Sequence, residues 1–485
     1  MTSVSELLQQ IADQSLTYNE RARLRCRLAK QLEDNDNFRA AQEALGELWP
    51  KVGEKPDLTD LDQVTGAELL LRVGVLTGRI GSSRQIADSQ EMAKNLISES
   101  ITSFQVVGDL KKVAEARVEL GFCYWREGAF DEARVTIEEA LCSLSDADGD
   151  LKALAMLRLA VVQNVSNRLH DGLHALISAA TLFERSTNHG LRGHFHGQYG
   201  TVLKNLGVIE RRRDFIDRAL IEFAAASYHF EQAGHRRYQA CIENNLGMLF
   251  CTAGNYSEAH EHLDRAQALM TSLRDMVHLA QVDETRARVF LAEGRLSEAE
   301  RLARGAVEVL ERGGEQALLA EALTTQGVAL ARMGRGERAR LTLQRAVEVA
   351  VLAGDREGAG QAALAVLEEL GEELSAPDLA ATYDHAAELL SASQHPGVKD
   401  RLLACARRVH FLSGLLLVPP SWDGFSLRRA VRRYEAFFIE RALVESGGVL
   451  ARAARLLGLK RQSLDSMLHT RHRNLLHLRA PTEPE

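Results

Sequence analysis

Small and large apolar residues recur along most of this chain at helical spacing, in blocks that return about every 40 residues. The block from Ala114 carries Gly121, Tyr124, Gly128, Phe130, Ala133, Ile137, Ala140 and Leu141. The block from Ala240 repeats it with Gly247, Phe250, Gly254, Tyr256, Ala259, Leu263 and Ala266. A third starts at Ala280 (Ala287, Phe290, Gly294, Leu296, Ala299, Ala303, Ala306) and a fourth at Ala320 (Gly327, Leu330, Gly334, Ala339, Leu343, Ala346). Weaker copies start near Ala22 (Ala29, Leu32, Phe38, Ala41, Leu45) and Ala153 (Ala160, Leu169, Gly172, Leu176, Ala179). Small residues on two successive helices let them approach closely. Large residues fill the gaps, and the mid-block Gly ends the first helix. No stretch is β-rich, so the pattern predicts an all-α chain of stacked helical pairs.

This order of small and large positions resembles the tetratricopeptide repeat (TPR), which implies an α-solenoid over residues 1–398. The commonest TPR repeats at about 34 residues. The longer period here adds residues between pairs, as in 311–316 and 351–358, and predicts second helices about a turn longer. About eight pairs are expected between Val4 and His395. The units at 67–108 and 192–235 are irregular, each with an insertion expected before its second helix.

The last part of the chain departs from this pattern. Leu450–His469 reads as two short helices around a turn, with Ala454 at the crossing and Gly458 in the turn. Leu457, Leu459, Leu464 and Met467 supply the apolar spacing, and an amphipathic helix over Leu427–Glu445 precedes them, stopped by Gly447-Gly448. Tyr434-Glu435, Ile439, Ala442-Leu443, Gly448, Ala453-Ala454, Leu457-Gly458-Leu459, Arg461 and Leu464 together resemble the Fis-type helix-turn-helix (HTH) domain. That resemblance implies a homodimer placing two recognition helices in successive major grooves of double-stranded DNA. Residues 426–485 are assigned to this domain and 399–425 to a connecting helix and linker. Trp422 and Phe425 are candidates to dock the tail on the last helix, or to be plain linker residues.

Charge fits a nucleic-acid partner. The whole chain carries −8, yet residues 426–480 hold 12 Lys/Arg against 4 Asp/Glu, which leaves −16 for the rest. Candidate DNA contacts are Arg452, Arg455, Lys460, Arg461, Gln462, Ser463, Ser466, His469, Arg471 and Arg473, with Arg428, Arg429, Arg432 and Arg433 as further phosphate candidates. Gln462 can pair with an adenine edge and Arg461 with a guanine edge. The recognition helix is otherwise poor in base-reading groups, and Asp465 on it would repel phosphate. Either shape carries part of the readout, or the module serves protein contact.

A Gly-Lys dipeptide is missing, so there is no phosphate-binding loop of the P-loop kind. HExxH and the nucleophile elbow are missing too. His194 with His196, and His260 with His262, stand two residues apart and so point to opposite sides of a helix. No catalytic residues, metal or cofactor are expected, and an enzyme is not. No apolar run reaches the length of a membrane helix, Phe411–Val418 being too short. No N-terminal signal pattern is present, and the six Cys form no CxxC pair. Both features point to the cytoplasm and to no membrane partner.

In a TPR solenoid the first helix of each pair lines the concave face. There, His194, Tyr199, Lys204, Asn205, Arg237, Asn244 and Asn245 form the densest mix of aromatic, amide and basic groups in the body. Asn can bond a peptide N–H and C=O together, gripping a chain without reading its sequence. The sequence thus predicts a regulator that senses a peptide or protein partner and binds DNA as a dimer. The alternative is a TPR scaffold whose tail mediates self-association or docking.

Overall fold

The computed structural model describes residues 4–479, apart from 14, 36, 84, 85, 87, 167, 314, 392, 394, 395 and 413–424, and only the backbone of 82, 83, 396 and 410–412. The described residues are helix and loop, with no strand among them. They divide into two compact units, Met1–Asp275 and Met276–Glu485.

The first unit opens with α1 (Val4–Ile11), followed by α2 (Tyr18–Glu33) with α3 (Phe38–Leu45), and α4 (Gln63–Ser83) with α5 (Ser89–Val107). Four more pairs follow: α6 (Leu110–Arg126) with α7 (Phe130–Cys142), α8 (Gly149–Val165) with α9 (Leu169–Arg185), α10 (His189–Ile209) with α11 (Arg213–Ala233), and α12 (Arg236–Thr252) with α13 (Tyr256–Leu273). The second unit holds α14 (Met276–Ala292) with α15 (Leu296–Gly313), α16 (Gln316–Arg332) with α17 (Gly336–Leu352), and α18 (Arg356–Leu370) with α19 (Ala376–Leu389). It ends with α20 (Pro396–Leu412), α21 (Leu427–Glu445), α22 (Leu450–Leu456), α23 (Arg461–Thr470) and a short 3-10 turn, Arg473–Leu478. The chain is an all-α TPR-like solenoid followed by a small helical HTH module.

The small-and-large pattern sets the packing. An added Cβ at Gly121 would lie 2.6 Å from Ile137, at Gly247 2.7 Å from Leu263, and at Gly327 2.5 Å from Leu343. Each of these leucine or isoleucine side chains is fully buried. The turns inside these pairs share one solution: Gly128, Gly254, Gly294 and Gly334 adopt φ between +75° and +83°, where a side chain would be strained.

Two expectations change. Nine pairs are present among the described residues, because the α18–α19 pair also stacks; its turn, Gly371–Ser375, lacks the positive-φ glycine of those four turns, and Ser375 caps α19 with Pro377 in its first turn. The irregular unit at 192–235 has no inserted segment. Its extra residues lengthen α10 and α11 to 21 residues each, joined by a three-residue turn in which Arg211 takes φ +54°.

Salt bridges stitch the first helices of neighbouring pairs. Arg72 on α4 is fully buried and reaches Glu33 on α2 at 2.5 Å, Glu115 on α6 at 2.6 Å and Glu68 at 3.2 Å. Arg158 on α8 meets Glu119 on α6 at 2.9 Å. Burial works against the Glu119 carboxylate, yet Arg158 and Arg79 hold it down to about 2. Unpairing such a buried ion is costly, so these pairs fix the register between repeats.

Candidate functional site

The C-terminal module is built around a small core. Ile439, Ala442 and Leu443 of α21 pack with Leu450, Ala453 and Ala454 of α22, with Leu464 and Leu468 of α23, and with Leu475. Ala454 lies buried at the crossing, and Gly458 turns the chain at φ +66°. Leu459 differs from expectation: it faces outward, 38% exposed, while Leu468 fills the core.

Because α23 buries Leu464 and Leu468, one turn apart, its other face is open. Arg461, Gln462, Ser463, Ser466 and His469 are all exposed. So are Arg452 and Arg455 on α22, Lys460 before α23, and Arg471 and Arg473 after it. Among the described residues no carboxylate pairs with Arg452, Arg455, Lys460, Arg461 or Arg473. Arg455 and Arg473 donate to the Ala451 and His469 carbonyls. Arg471 lies 3.4 Å from Glu435.

The further phosphate candidates on α21 are mostly engaged elsewhere. Arg429 pairs with Glu372 at 3.0 Å, and Arg432 donates twice to the Arg471 carbonyl. Burial lowers the pKa of Arg433. Arg428 remains exposed.

Two supporting residues, Arg479 and His472, escaped the sequence reading. Asp465 does not stand as a bare negative charge on the recognition helix: Arg479 donates to its Oδ1 at 2.9 Å. His472 is buried with Nε2 3.2 Å from Glu435, tying the end of the module to α21. No spacing rule links residues 14 or 37 apart across a turn. The proposed docking residue Trp422 lies outside the described residues, and Phe425 is half-buried.

The predicted partner-binding residues fall on α10 and α12 but do different things. Tyr199 is a core residue, 8% exposed, whose hydroxyl accepts from Arg218 at 2.9 Å. His194 is half-buried, edge-on to Phe230 at 5.0 Å and to Tyr238 at 4.7 Å. Arg237 pairs with Asp275 at 2.9 Å. Asn205 donates to Asn164 of α8 at 3.0 Å. Lys204 and Asn244 are half-buried, Asn245 is exposed, and the Oδ1 of Asn244 is buried without a donor. Amides thus recur on α8, α10 and α12. Asn164 was missed, although it stands 41 residues before Asn205, at the repeat spacing.

A histidine cluster lies beside them. His229 on α11 is buried, its Nδ1 2.9 Å from that of His189 and its ring stacked 5.3 Å from His196. His196 in turn meets Glu222 at 2.7 Å. Burial, then the charges of Arg192, His196 and His189, push His229 down to about 4. Among the described residues no group of three or more His, Cys, Asp or Glu could hold a metal ion, and no helix is long and apolar enough to cross a membrane.

Comparison with known proteins matches both parts. Residues 198–272 match the tetratricopeptide repeat model, and residues 430–466 match that of the bacterial regulatory proteins of the Fis family. Among curated proteins none matches. The solved apo form of the quorum sensor NprR from B. thuringiensis is 12% identical over 71% of this chain and 92% of its own, with a TM-score of 0.52. Aspartyl phosphate phosphatase F from Bacillus subtilis is 14% identical over 71% and 92%, with a TM-score of 0.47. BtubC from P. vanneervenii is 21% identical over 46% and 92%, with a TM-score of 0.39. At these identities the likeness to NprR speaks for the repeat fold alone. Fold, turn chemistry and matched segments agree: the chain carries a tetratricopeptide-repeat region and a C-terminal Fis-type helix-turn-helix domain.

Proposed function

We propose that the chain is a DNA-binding transcriptional regulator that works by binding and not by catalysis. Its solenoid takes a peptide or protein on the first helices, and its module at 426–485 binds double-stranded DNA as a homodimer. One observation carries the DNA reading. The open face of α23 and its flanks presents Arg452, Lys460 and Arg461 with no carboxylate partner among the described residues, beside Gln462, Ser463 and Ser466. A basic face around a turn-linked helix whose cations are not taken up by carboxylates is suited to phosphates.

The dimer has its own support. Leu427, Val431 and Phe438 on α21 are 70%, 48% and 53% exposed, at offsets of four and eleven residues. With Tyr434 between them they form one apolar stripe at coiled-coil spacing, which a second copy of α21 covers with its own stripe. A peptide that prefers one solenoid conformation would then shift the population with the right spacing of recognition helices.

Fluorescence anisotropy with random-sequence duplex DNA tests the reading. Tight binding by the intact protein should weaken steeply with salt. The triple variant Arg452→Ala, Arg455→Ala, Arg461→Ala should reduce the salt slope by about 3, close to one per lost phosphate contact. A scaffold function is the second reading, favoured by the same exposed stripe. Oligomers that persist while DNA binding is absent at low salt would establish it instead.

A further inference from the structure

On α4, α6 and α8, three guanidinium groups close on one aromatic ring. Phe122 of α6 has Arg79 at 4.2 Å, Arg158 at 4.7 Å and Arg126 at 5.2 Å from its centroid. Each ring–guanidinium contact is favourable, but the three like charges repel one another. Glu119, a carboxylate acting on Arg126, is bonded to Arg158 at 2.9 Å. Arg126 is left with the Gly78 carbonyl at 3.1 Å. Among the described residues no carboxylate pairs with Arg126, and its Nε is buried with no acceptor. Next to it Trp125, whose ring lies 4.7 Å from Phe122, buries its indole Nε1–H with no acceptor among the described residues. Burial, then Arg79, lowers Arg126 to about 10, as expected of a cation that lacks its counter-ion.

We propose that the Arg126–Phe122 cluster binds a carboxylate of a peptide lying along the first helices, either an acidic side chain or the free C-terminus. This rests on the reading that the solenoid takes a peptide, and it names the chemistry of that peptide. A carboxylate accepts a charge-assisted bond from the guanidinium of Arg126, whose Nη1 stays with the Gly78 carbonyl and whose carbon lies 5.2 Å from the Phe122 centroid. It also supplies the counter-ion that Arg126 lacks among the described residues, while Glu119 stays with Arg158. A neutral peptide would leave Arg126 as it is.

The experiment is peptide selection by the immobilised full-length chain. Two random heptapeptide libraries are used, one with free C-termini and one C-terminally amidated, and the retained peptides are sequenced by mass spectrometry. Enrichment of free acids over amides, or of Asp and Glu within the amidated library, should be roughly tenfold, the worth of one charge-assisted hydrogen bond. The first pattern identifies the C-terminus as the bound group and the second an acidic side chain. Arg126→Met should abolish the preference while still retaining neutral peptides. Arg126→Lys, which keeps the charge without the planar guanidinium, should keep only part of it. Thermal melts check folding, and if the Met variant does not fold, the Lys variant decides: a reduced preference supports the site and an unchanged one overturns it. A preference that survives Arg126→Met also overturns it. Peptides retained without acidic or free-acid preference overturn this site and leave the peptide reading standing. No retained peptide from either library overturns both.

Discussion

His229 shows what a single residue adds and how little of it the sequence discloses. The run Tyr228-His229-Phe230 stands out by composition, but its partner His189 lies 40 residues away on α10. Two imidazole nitrogens 2.9 Å apart need one N–H and one lone pair, so the pair cannot hold a proton on both facing nitrogens. Consistent with that, His229 is pushed from 6.5 down to about 4. The unfolded chain therefore takes up a proton below pH 6.5 that the folded chain refuses until about pH 4. Stability contributed by His229 is complete above pH 6.5 and is lost as pH falls toward 4. The urea midpoint should drop between pH 7 and pH 5, and His229→Gln should flatten that drop. Equal drops in both proteins would show that His229 does not titrate this way. Tyr199 makes the same point from the other side. Its position on a first helix suggested a ligand contact, and only three-dimensional packing reveals that Arg218 holds its hydroxyl inside the core.

At the scale of elements the sequence is much more legible. Helix pairs, turn glycines, the crossing alanine of the HTH module and the bounds of α21 all follow from local spacing, because each repeat packs mainly on its neighbours. The ninth pair was not legible because its turn uses a serine cap in place of the repeated glycine. Spacing also distinguishes two kinds of helical glycine. Gly327 is where α16 meets α17, and any Cβ there runs into buried Leu343 at 2.5 Å. Gly305 on α15 is exposed and has nothing within 4 Å of where a Cβ would sit. Gly327→Val should cost about 1–3 kcal/mol of stability by overpacking. Gly305→Ala should add about 0.5–1 kcal/mol by favouring the helix. Urea denaturation of both variants checks the pair of signs. A stable Gly327→Val protein would mean that α16 and α17 do not need this close approach.

For the whole molecule, the charge asymmetry between the tail and the rest is plain in the sequence, but the exposed stripe proposed to join two copies is not. Hydrophobic spacing alone marks Leu427, Val431 and Phe438 as apolar without saying whether they face a core. The structure separates them from Ile439, Ala442 and Leu443, which do. Exposed apolar side chains at 3.5-residue spacing on a 19-residue helix gain stability when a matching stripe covers them. A homodimer does so symmetrically and sets two recognition helices at one groove repeat. Val431→Asp combined with Phe438→Ser places polar groups on the stripe without touching the module core. Sedimentation should then show monomers, while circular dichroism keeps its helical signal. DNA affinity should fall by about 10²-fold, since each module would bind alone without the effective concentration its partner provides. Dimers that survive the double substitution would move the interface to the solenoid. Monomers with unchanged affinity would mean that one basic face suffices, and that coupling between ligand and DNA cannot run through the spacing of two recognition helices.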